Sequence, residues 1–153
     1  MGKEICNRSV LLVDDDERML RALDRVLTNE GATVTCSSWA GRAIDILVEK
    51  KTQVDLVIID LHMPFMSGLT AVFVIHSHFP KLPIIVLTAY GSPDVKAECL
   101  RQGAVAFLEK PLDSHVLIDA VQDAFSLQKN VTNTDRQIHG PKVETDLGRQ
   151  GKG

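Results

Sequence analysis

The chain has 153 residues and a mass of 16.8 kDa, a length that suits one domain with a usable hydrophobic core. Hydrophobic residues make up 44% and charged residues 24%, and a net charge of -3 gives no reason to expect a nucleic-acid or membrane surface. No apolar run approaches the roughly 20 residues of a membrane-spanning helix, and the first residues lack the apolar core of a signal peptide. Three scattered cysteines without metal-site spacing indicate reduced thiols, so we expect a cytoplasmic protein.

Strand and helix patterns alternate along the chain. Short apolar runs predict buried strands at 9–13, 54–59 and 83–88, and two further strands are predicted at 33–36 and 104–108. Apolar residues at helical spacing predict a helix after each strand, at about 17–30, 40–48, 69–79, 93–103 and from 114 onward. The predicted N-terminal caps of these helices are, in order, Asp16, Ser38, Ser67, Ser92 and Asp113. The fourth helix has a thin apolar stripe, so we expect it to be weakly packed and mobile.

Five strands that alternate with five helices through short connections predict parallel strands with right-handed crossovers. We therefore predict an α/β fold, a doubly wound five-stranded parallel sheet of order 2-1-3-4-5 with five flanking helices, as in flavodoxin-like proteins. The domain is expected at 8–128. Residues 129–153 lack apolar periodicity and are rich in Gly, Thr, Asn and charge, which predicts a disordered tail or linker.

The predicted strand order brings together polar residues from four strand ends, namely Asp14, Asp15, Asp60, Thr88 and Lys110. Clustered carboxylates raise one another's pKa unless a cation is present, and Mg²⁺ prefers such hard oxygen ligands. Asp15, Asp60 and one backbone carbonyl would supply protein ligands and leave room for water and a phosphoryl oxygen. Asp60 would then attack phosphorus, while Lys110 and Thr88 hold the phosphoryl oxygens.

Each part alone has an ordinary structural explanation, since an acidic pair after a strand is commonly a helix cap and Lys-Pro is usually a turn. The joint placement is what argues for chemistry. The motifs are Val10–Glu17, Asp60–Pro64 with Ser67-Gly68, Leu87–Ala89, and Gly103-Ala104 leading to Lys110-Pro111. Through these motifs, residues 8–127 resemble the receiver domain of bacterial two-component response regulators, as in chemotaxis-Y-like proteins.

The resemblance implies that Asp60 accepts a phosphoryl group from a sensor histidine kinase or phosphotransfer protein, with Mg²⁺ or Mn²⁺ as cofactor. Asp15 would be a direct metal ligand, Asp14 would act mainly through water, and the backbone carbonyl of His62 would be a third protein ligand. Such a domain assists its own phosphorylation and slow dephosphorylation and is not otherwise an enzyme. Direct binding of this segment to nucleic acid or membrane is not expected.

A conformational switch is also implied by the resemblance. Phosphorylation would draw Thr88 toward Asp60, and Phe107 would fill the space that Thr88 vacates. This changes the face formed by the fourth helix, fifth strand and fifth helix, through which a homodimer would form. His62 and Tyr90 stand two residues after Asp60 and Thr88, beside the path of an attacking water. We predict that they lengthen the phosphorylated lifetime.

Three alternative functions share some of these features. A haloacid-dehalogenase-type hydrolase also forms an aspartyl phosphate, and Asp14 and Asp16 match its first motif, but Arg18 occupies the last place and there is no room for a cap domain. A flavin-binding module would need a Gly-, Ser- and Thr-rich loop after the first strand, where four acidic residues stand instead. A degenerate receiver that only binds partners is disfavoured because all five active-site positions are filled.

Overall fold

The computed structural model describes residues 4–50 and 53–138, apart from the side chains of 129–138. In these residues the strands are β1 (Ser9–Val13), β2 (Thr33–Ser37), β3 (Leu56–Asp60), β4 (Ile84–Thr88) and β5 (Ala106–Glu109). The helices are α1 (Glu17–Asn29), α2 (Ala40–Glu49), α3 (Gly68–His78), α4 (Pro93–Arg101) and α5 (Ser114–Ile138). All strand pairs are parallel and the sheet order is β2-β1-β3-β4-β5, which confirms the predicted fold class and topology.

Helices cover both faces of the sheet, which explains why the central strands are continuously apolar. Every residue of β3 and β4 is buried. Alternate residues of β1 point to opposite layers, because side chains of a strand alternate between its two faces. Leu11 and Val13 pack with α2 and α3, whereas Val10 and Leu12 pack with α1 and α5. The two cores hold the strands rigidly and fix the positions of the residues that follow them.

Helix caps follow the prediction at three of the helices. Asp16, Ser67 and Ser92 each accept a hydrogen bond from a backbone N–H of the first turn. The prediction of Ser38 as the cap of α2 is wrong. Trp39 is the capping residue and has no side-chain cap bond, because its indole N–H can only donate a hydrogen bond. The cap at the start of α5 stays a prediction.

Helix α4 buries little of its surface, as the sequence predicted: Cys99 is its buried residue, and Leu100 is 43% exposed. The mobility of this helix stays a prediction. Helix α5 runs to Ile138, past the expected boundary at Gln128, while residues 139–153 of the predicted tail lie outside the described residues. The division of the chain at 128 therefore also stays a prediction. None of the helices in the described part combines the length and apolar character needed to cross a membrane.

Candidate functional site

Strand register brings the predicted site residues to one edge of the sheet. Val13 pairs with Ile59, so Asp14 and Asp60 follow neighbouring positions of adjacent strands. Asp60 pairs with Leu87, which places Thr88 one residue further along β4. The backbone N–H of Lys110 donates to the carbonyl oxygen of Thr88 at 2.8 Å, which ties the end of β5 to the end of β4.

An acidic cluster forms at this edge. One carboxylate oxygen from each of Asp14, Asp15 and Asp60 lies within 4.8 Å of the others. Asp14 and Asp60 are buried, whereas Asp15 is exposed to solvent. Three hard oxygen donors this close together fit the preferences of Mg²⁺, which also keeps several waters in its coordination shell. The exposed Asp15 leaves an open side from which hydrated metal and a phosphodonor could enter.

The ammonium group of Lys110 lies between the two buried acids. Its Nζ is 2.7 Å from Oδ2 of Asp14 and 3.7 Å from Oδ2 of Asp60. The remaining oxygens accept from backbone N–H groups, with Asp16 donating to Oδ1 of Asp14 at 2.9 Å and His62 donating to Oδ1 of Asp60 at 3.3 Å. Asp60 is therefore held between a cation and a backbone donor, with its second oxygen directed toward the lysine.

Burial, followed by the neighbouring charge of Asp14, raises the pKa of the Asp60 carboxyl above its usual range. Lys110 and the backbone N–H of His62 lower this pKa, and Asp15 raises it further. The protein alone therefore stabilises the ionised form of Asp60 less well than water does. A divalent cation at the cluster would favour the carboxylate, which is the nucleophilic form.

With this geometry in place, comparison with known proteins decides the family. The model of the response regulator receiver domain matches residues 10–122, which is most of the chain. The chain belongs to the response regulator receiver family. The transcriptional regulatory protein GlrR of Escherichia coli (strain K12) is 40% identical over 129 residues, covering 84% of this chain and 28% of that relative. The receiver therefore spans less than a third of the length of the curated relatives it matches.

Solved receiver structures have the same fold. The CheX–CheY–BeF3–Mg²⁺ complex of Borrelia burgdorferi aligns with a TM-score of 0.76 and 27% identity, covering 78% of this chain and 90% of that one. The beryllofluoride-activated NtrC4 receiver domain dimer aligns with a TM-score of 0.74 and 28% identity, covering 78% and 98%. The family match also leaves the hydrolase alternative without support.

Thr88 and Phe107, the two residues predicted to form the switch, both lie near the loop that follows β4. The Thr88 side chain is fully buried, and its hydroxyl accepts from the backbone N–H of Tyr90 at 3.3 Å. The Phe107 ring is partly buried and packs close to Gly91, where an added Cβ would lie 2.9 Å from it. Thr88 thus shares the edge with Asp60, but its hydroxyl is bonded to the loop and not to that carboxylate.

His62 and Tyr90 contact each other, which the sequence did not predict. Their ring centroids are 5.4 Å apart and the planes meet at 80°, an edge-to-face arrangement. Both side chains are exposed, and they follow the ends of β3 and β4 by two residues each. The pair therefore joins the loop after β3 to the loop after β4.

Gly68 has a role in the receiver site that the sequence motif did not explain. An added Cβ would lie 2.2 Å from the carbonyl oxygen of Asp60 and 2.5 Å from Cα of Leu61. The N–H of Gly68 also donates to the carbonyl oxygen of Leu61 at 2.9 Å. The start of α3 therefore touches the backbone at the end of β3 directly, and only glycine permits this approach. A glycine at the end of a short loop after an acidic strand end was the available signal.

Proposed function

We propose that this receiver takes a phosphoryl group from the phosphohistidine of a sensor histidine kinase or phosphotransfer protein onto Asp60. The observation that carries the proposal is the position of the Lys110 ammonium, which reaches both Asp14 and Asp60 beside a cluster of three carboxylates. A carboxylate nucleophile, an acidic metal-binding set and a fixed cation are what phosphoryl transfer to a side chain requires.

The donor set fits a hard divalent cation, and the receiver family binds Mg²⁺ in its acidic pocket. Asp15, Asp60 and the backbone carbonyl of His62 would hold Mg²⁺ or Mn²⁺, with Asp14 acting mainly through water. When bound, the ion supplies charge neutralisation for the phosphoryl oxygens and for the ionised Asp60. In its absence Lys110 alone offsets two buried carboxylates, which is an incomplete compensation.

In the transfer step, an Asp60 carboxylate oxygen forms a bond to phosphorus as the bond between phosphorus and the donor imidazole nitrogen breaks. The imidazole nitrogen keeps the bonding electron pair. Lys110 and the Thr88 hydroxyl would hold the phosphoryl oxygens, which requires Thr88 to give up its bond from the Tyr90 N–H. The chain assists this reaction and the later slow hydrolysis of its own acyl phosphate and turns over no separate substrate.

The same movement would set the switch. When Thr88 turns toward the phosphoryl group, Phe107 can move from its position beside Gly91 into the vacated space. Because α4 has few buried residues, this local change would shift its packing more readily than that of any better buried helix. The face formed by α4, β5 and α5 is the proposed output, and the exposed apolar side chains on it would support a phosphorylation-dependent homodimer. These are Leu100, Val105 and Val116.

His62 and Tyr90 are the proposed modulators of the phosphorylated lifetime. Their edge-to-face contact links the loops after β3 and β4, next to the residue that carries the phosphoryl group. Two rings held against each other would restrict the approach of water in line with the acyl phosphate bond. The expected location of these events is the cytoplasm, with no membrane contact and no direct nucleic-acid binding by this segment.

The test is incubation of the chain with acetyl phosphate and Mg²⁺, followed by intact mass and peptide mapping. We expect a single phosphoryl adduct on Asp60 that is lost in Asp60→Asn and in the presence of a chelator. Asp45→Asn is the matched control, because Asp45 is an exposed acid on α2 outside the cluster. An adduct that persists in Asp60→Asn, or steady turnover of a phosphomonoester, would contradict the proposal.

A further inference from the structure

Helix α1 presents a row of arginines to solvent. Arg18, Arg21 and Arg25 follow one another at spacings of three and four residues, so they share one side of the helix, and all three are exposed. Within the described residues, none of the three guanidinium groups pairs with an acid. We call these three residues the α1 ridge. The opposite side of the helix is buried in the core and consists of Leu20, Leu23 and Leu27.

The acids of α1 do not neutralise this ridge. Glu17 and Asp24 lie on one flank of it, and the Asp24 carboxylate already accepts a hydrogen bond from the Thr28 hydroxyl at 2.7 Å. The ridge is therefore a local excess of positive charge on a chain whose net charge is -3. Arginine binds carboxylates through a planar fork of donors, so the ridge suits a partner that offers carboxylates at helical spacing.

Helix α5 carries the complementary feature. Asp119 and Asp123 are four residues apart on its exposed side, and neither carboxylate has a hydrogen bond or ion pair in the part of the chain that the structure describes. No lysine or arginine occurs from residue 114 to residue 128. We call Asp119 and Asp123 the α5 ridge. The opposite side of this helix is buried in the core and includes Leu117, Val121 and Phe125.

An apolar groove borders the α5 ridge. It has a volume of about 450 Å³, lies between β5 and α5, and has both Asp119 and Asp123 in its wall. Val105, Val116 and Leu127, which also line it, are 41%, 45% and 53% exposed. Arginine covers apolar surface with its methylene groups while its guanidinium group reaches a polar rim. An apolar groove edged by carboxylates therefore suits the side chains of the α1 ridge.

The two ridges lie on the same layer of the molecule. The inner sides of α1 and α5 pack into one core, on the same face of the sheet. Helix α1 begins four residues after the end of β1 and α5 five residues after the end of β5, and because these strands are parallel the two helices run in the same direction. Arg21 and Asp119 are the fifth and sixth residues of their helices, and Arg25 and Asp123 are the ninth and tenth. The charges therefore stand at nearly the same distance along both helices, since one residue rises about 1.5 Å.

We infer that α1 of this chain packs on α5 of a second copy, while its own α5 receives α1 of that copy. A two-fold axis that runs parallel to the helices and midway between them places α1 of each copy over α5 of the other, in the same direction. Arg21 then lies opposite Asp119, and Arg25 lies opposite Asp123. The symmetry makes each of these ion pairs twice.

The presence of both charges on one layer distinguishes a second copy from other occupants. A nucleic acid or an acidic protein drawn to the α1 ridge would be repelled by the α5 ridge beside it, and a basic protein would be repelled by the α1 ridge. A second copy, turned by the two-fold axis, sets each ridge against the opposite one with the same four-residue spacing. Exposed ion pairs each contribute little, so we expect a weak dimer that is sensitive to salt.

This contact uses neither the acidic cluster nor α4. We therefore expect the dimer in the unmodified chain, without Mg²⁺, and equally in Asp60→Asn, so failure of the phosphoacceptor proposal would leave this inference unaffected. Val105 and Val116 of the groove also belong to the α4–β5–α5 face. The contact would therefore compete with the proposed phosphorylation-dependent homodimer for α5.

Sedimentation of the full chain over a wide concentration range, at about 0.05 M and about 0.5 M salt, tests the inference. We expect a reversible monomer–dimer equilibrium whose dissociation constant rises about tenfold or more in the higher salt. Two charge-reversed chains should each show a similar rise at low salt. The α1 variant combines Arg21→Glu with Arg25→Glu, and the α5 variant combines Asp119→Lys with Asp123→Lys.

A matched control reverses two exposed cations on the other face of the sheet. Arg42→Glu with Lys50→Glu, on α2 and its C-terminal cap, changes the net charge by the same amount as the α1 variant does. Helix α2 packs in the core of the opposite layer, so this chain should dimerise as the wild type does. Thermal unfolding of each variant monitors its folding.

A mixture of the α1 variant and the α5 variant sharpens the test. In the mixed dimer, the new glutamates of one chain face the new lysines of the other, and the unchanged α5 ridge of the first faces the unchanged α1 ridge of the second. The mixture should therefore dimerise at concentrations where each variant alone is monomeric. A wild-type chain that is monomeric up to its solubility limit in low salt would overturn the inference. So would a dimer that is insensitive to salt, either variant dimerising as the wild type does, an equal loss in the α2 control, or a mixture that remains monomeric.

Discussion

The carboxyl edge of the sheet divides into two halves that are held very differently. At the ends of β1 and β3, each buried carboxylate has at least one backbone N–H bond, and Asp14 also binds Lys110. At the ends of β4 and β5, Thr88 has a single bond to the following loop, and no residue of β5 is fully buried. We call the first half fixed and the second half loose, and Lys110, which extends from the end of β5 to Asp14 and Asp60, joins them.

Helix packing repeats this division. Helix α1 buries Leu20, Leu23 and Leu27 in one core, whereas α4 buries Cys99 as its one described buried residue. A phosphoryl group that adds charge at the fixed half can change the loose half at small free-energy cost, because few contacts must be broken there. The comparison indicates that this receiver places the proposed reaction beside well-packed elements and the proposed response beside the sparsely packed α4. The variants below test each half.

The largest effect should come from Lys110, the residue that joins the two halves. Lys110→Ala leaves two buried carboxylates without their cation, so we expect a loss of about 3 kcal/mol in unfolding free energy without Mg²⁺, and a smaller loss with it. Phosphorylation by acetyl phosphate should slow by about a hundredfold or more. Urea unfolding and intact-mass kinetics measure these quantities. Lys96→Ala, an exposed lysine on α4, is the control, and an equal effect there would refute the role of Lys110.

Paired truncations in α1 and α4 compare the halves by packing alone. Leu23→Ala removes a buried side chain from the core and should cost about 3 kcal/mol of unfolding free energy. Leu100→Ala, at a 43% exposed position of α4, should cost about 0.5 kcal/mol or less. Urea denaturation with tryptophan fluorescence or circular dichroism provides the values. Comparable losses in both variants would show that α4 is better packed than its burial indicates.

Much of this division was readable from the sequence. The apolar runs, the caps at Asp16, Ser67 and Ser92, and the thin stripe of α4 all reflect local physical rules that tertiary packing did not override. The site residues could be placed because the carboxyl ends of the strands in a doubly wound sheet lie at one edge, so the strand order alone brings these residues together. The motif Asp14-Asp15 with Asp60, Thr88 and Lys110 was sufficient to predict which side chains share the edge.

The features that the sequence did not predict depend on contacts between distant segments or on which of several neighbouring residues takes a position. Ser38 does not cap α2, because the helix begins at Ala40 and the capping position is therefore that of Trp39, a difference of one residue. The contact of His62 with Tyr90 and the approach of Gly68 to Asp60 depend on how two loops are folded, for which no periodic pattern exists. The bond of Thr88 to Tyr90 likewise could not be read from a strand end alone.

Asp60→Asn should stabilise the fixed half at neutral pH in the absence of Mg²⁺. The pKa of Asp60 is raised in the folded chain, mainly by burial and then by Asp14. The folded state therefore holds a proton more tightly than the unfolded state, and wild-type stability falls as pH rises from the ordinary carboxyl range through the raised pKa. Asparagine carries no such cost, so its advantage should be full above the raised pKa and vanish as pH falls below the ordinary one.

Urea midpoints of both chains from about pH 4 to pH 7 measure this difference. Mg²⁺ should reduce the advantage of asparagine, because the ion compensates the wild-type charge and binds the variant less well. Asp45→Asn controls for the loss of a surface carboxylate. A stability difference between wild type and Asp60→Asn that grows as the pH is lowered would contradict the assigned direction of the pKa shift.

The smallest effect should come from the aromatic pair that bridges the two halves. Replacing both His62 and Tyr90 with alanine removes their edge-to-face contact without touching the buried carboxylates. Water then has freer access to the acyl phosphate, and we expect dephosphorylation to become a few-fold faster while the rate of phosphorylation by acetyl phosphate changes little. Release of phosphate after rapid removal of the donor measures the lifetime.

Single variants divide this effect between the two rings. His62→Ala and Tyr90→Ala should each account for part of the change, because either ring alone still obstructs one side of the path. Phe73→Ala, an exposed aromatic on α3, is the control and should leave the lifetime unaltered. An unchanged lifetime in the double variant would show that the rings do not obstruct the path of the water, and that the link between the two halves has no part in preserving the phosphoryl group.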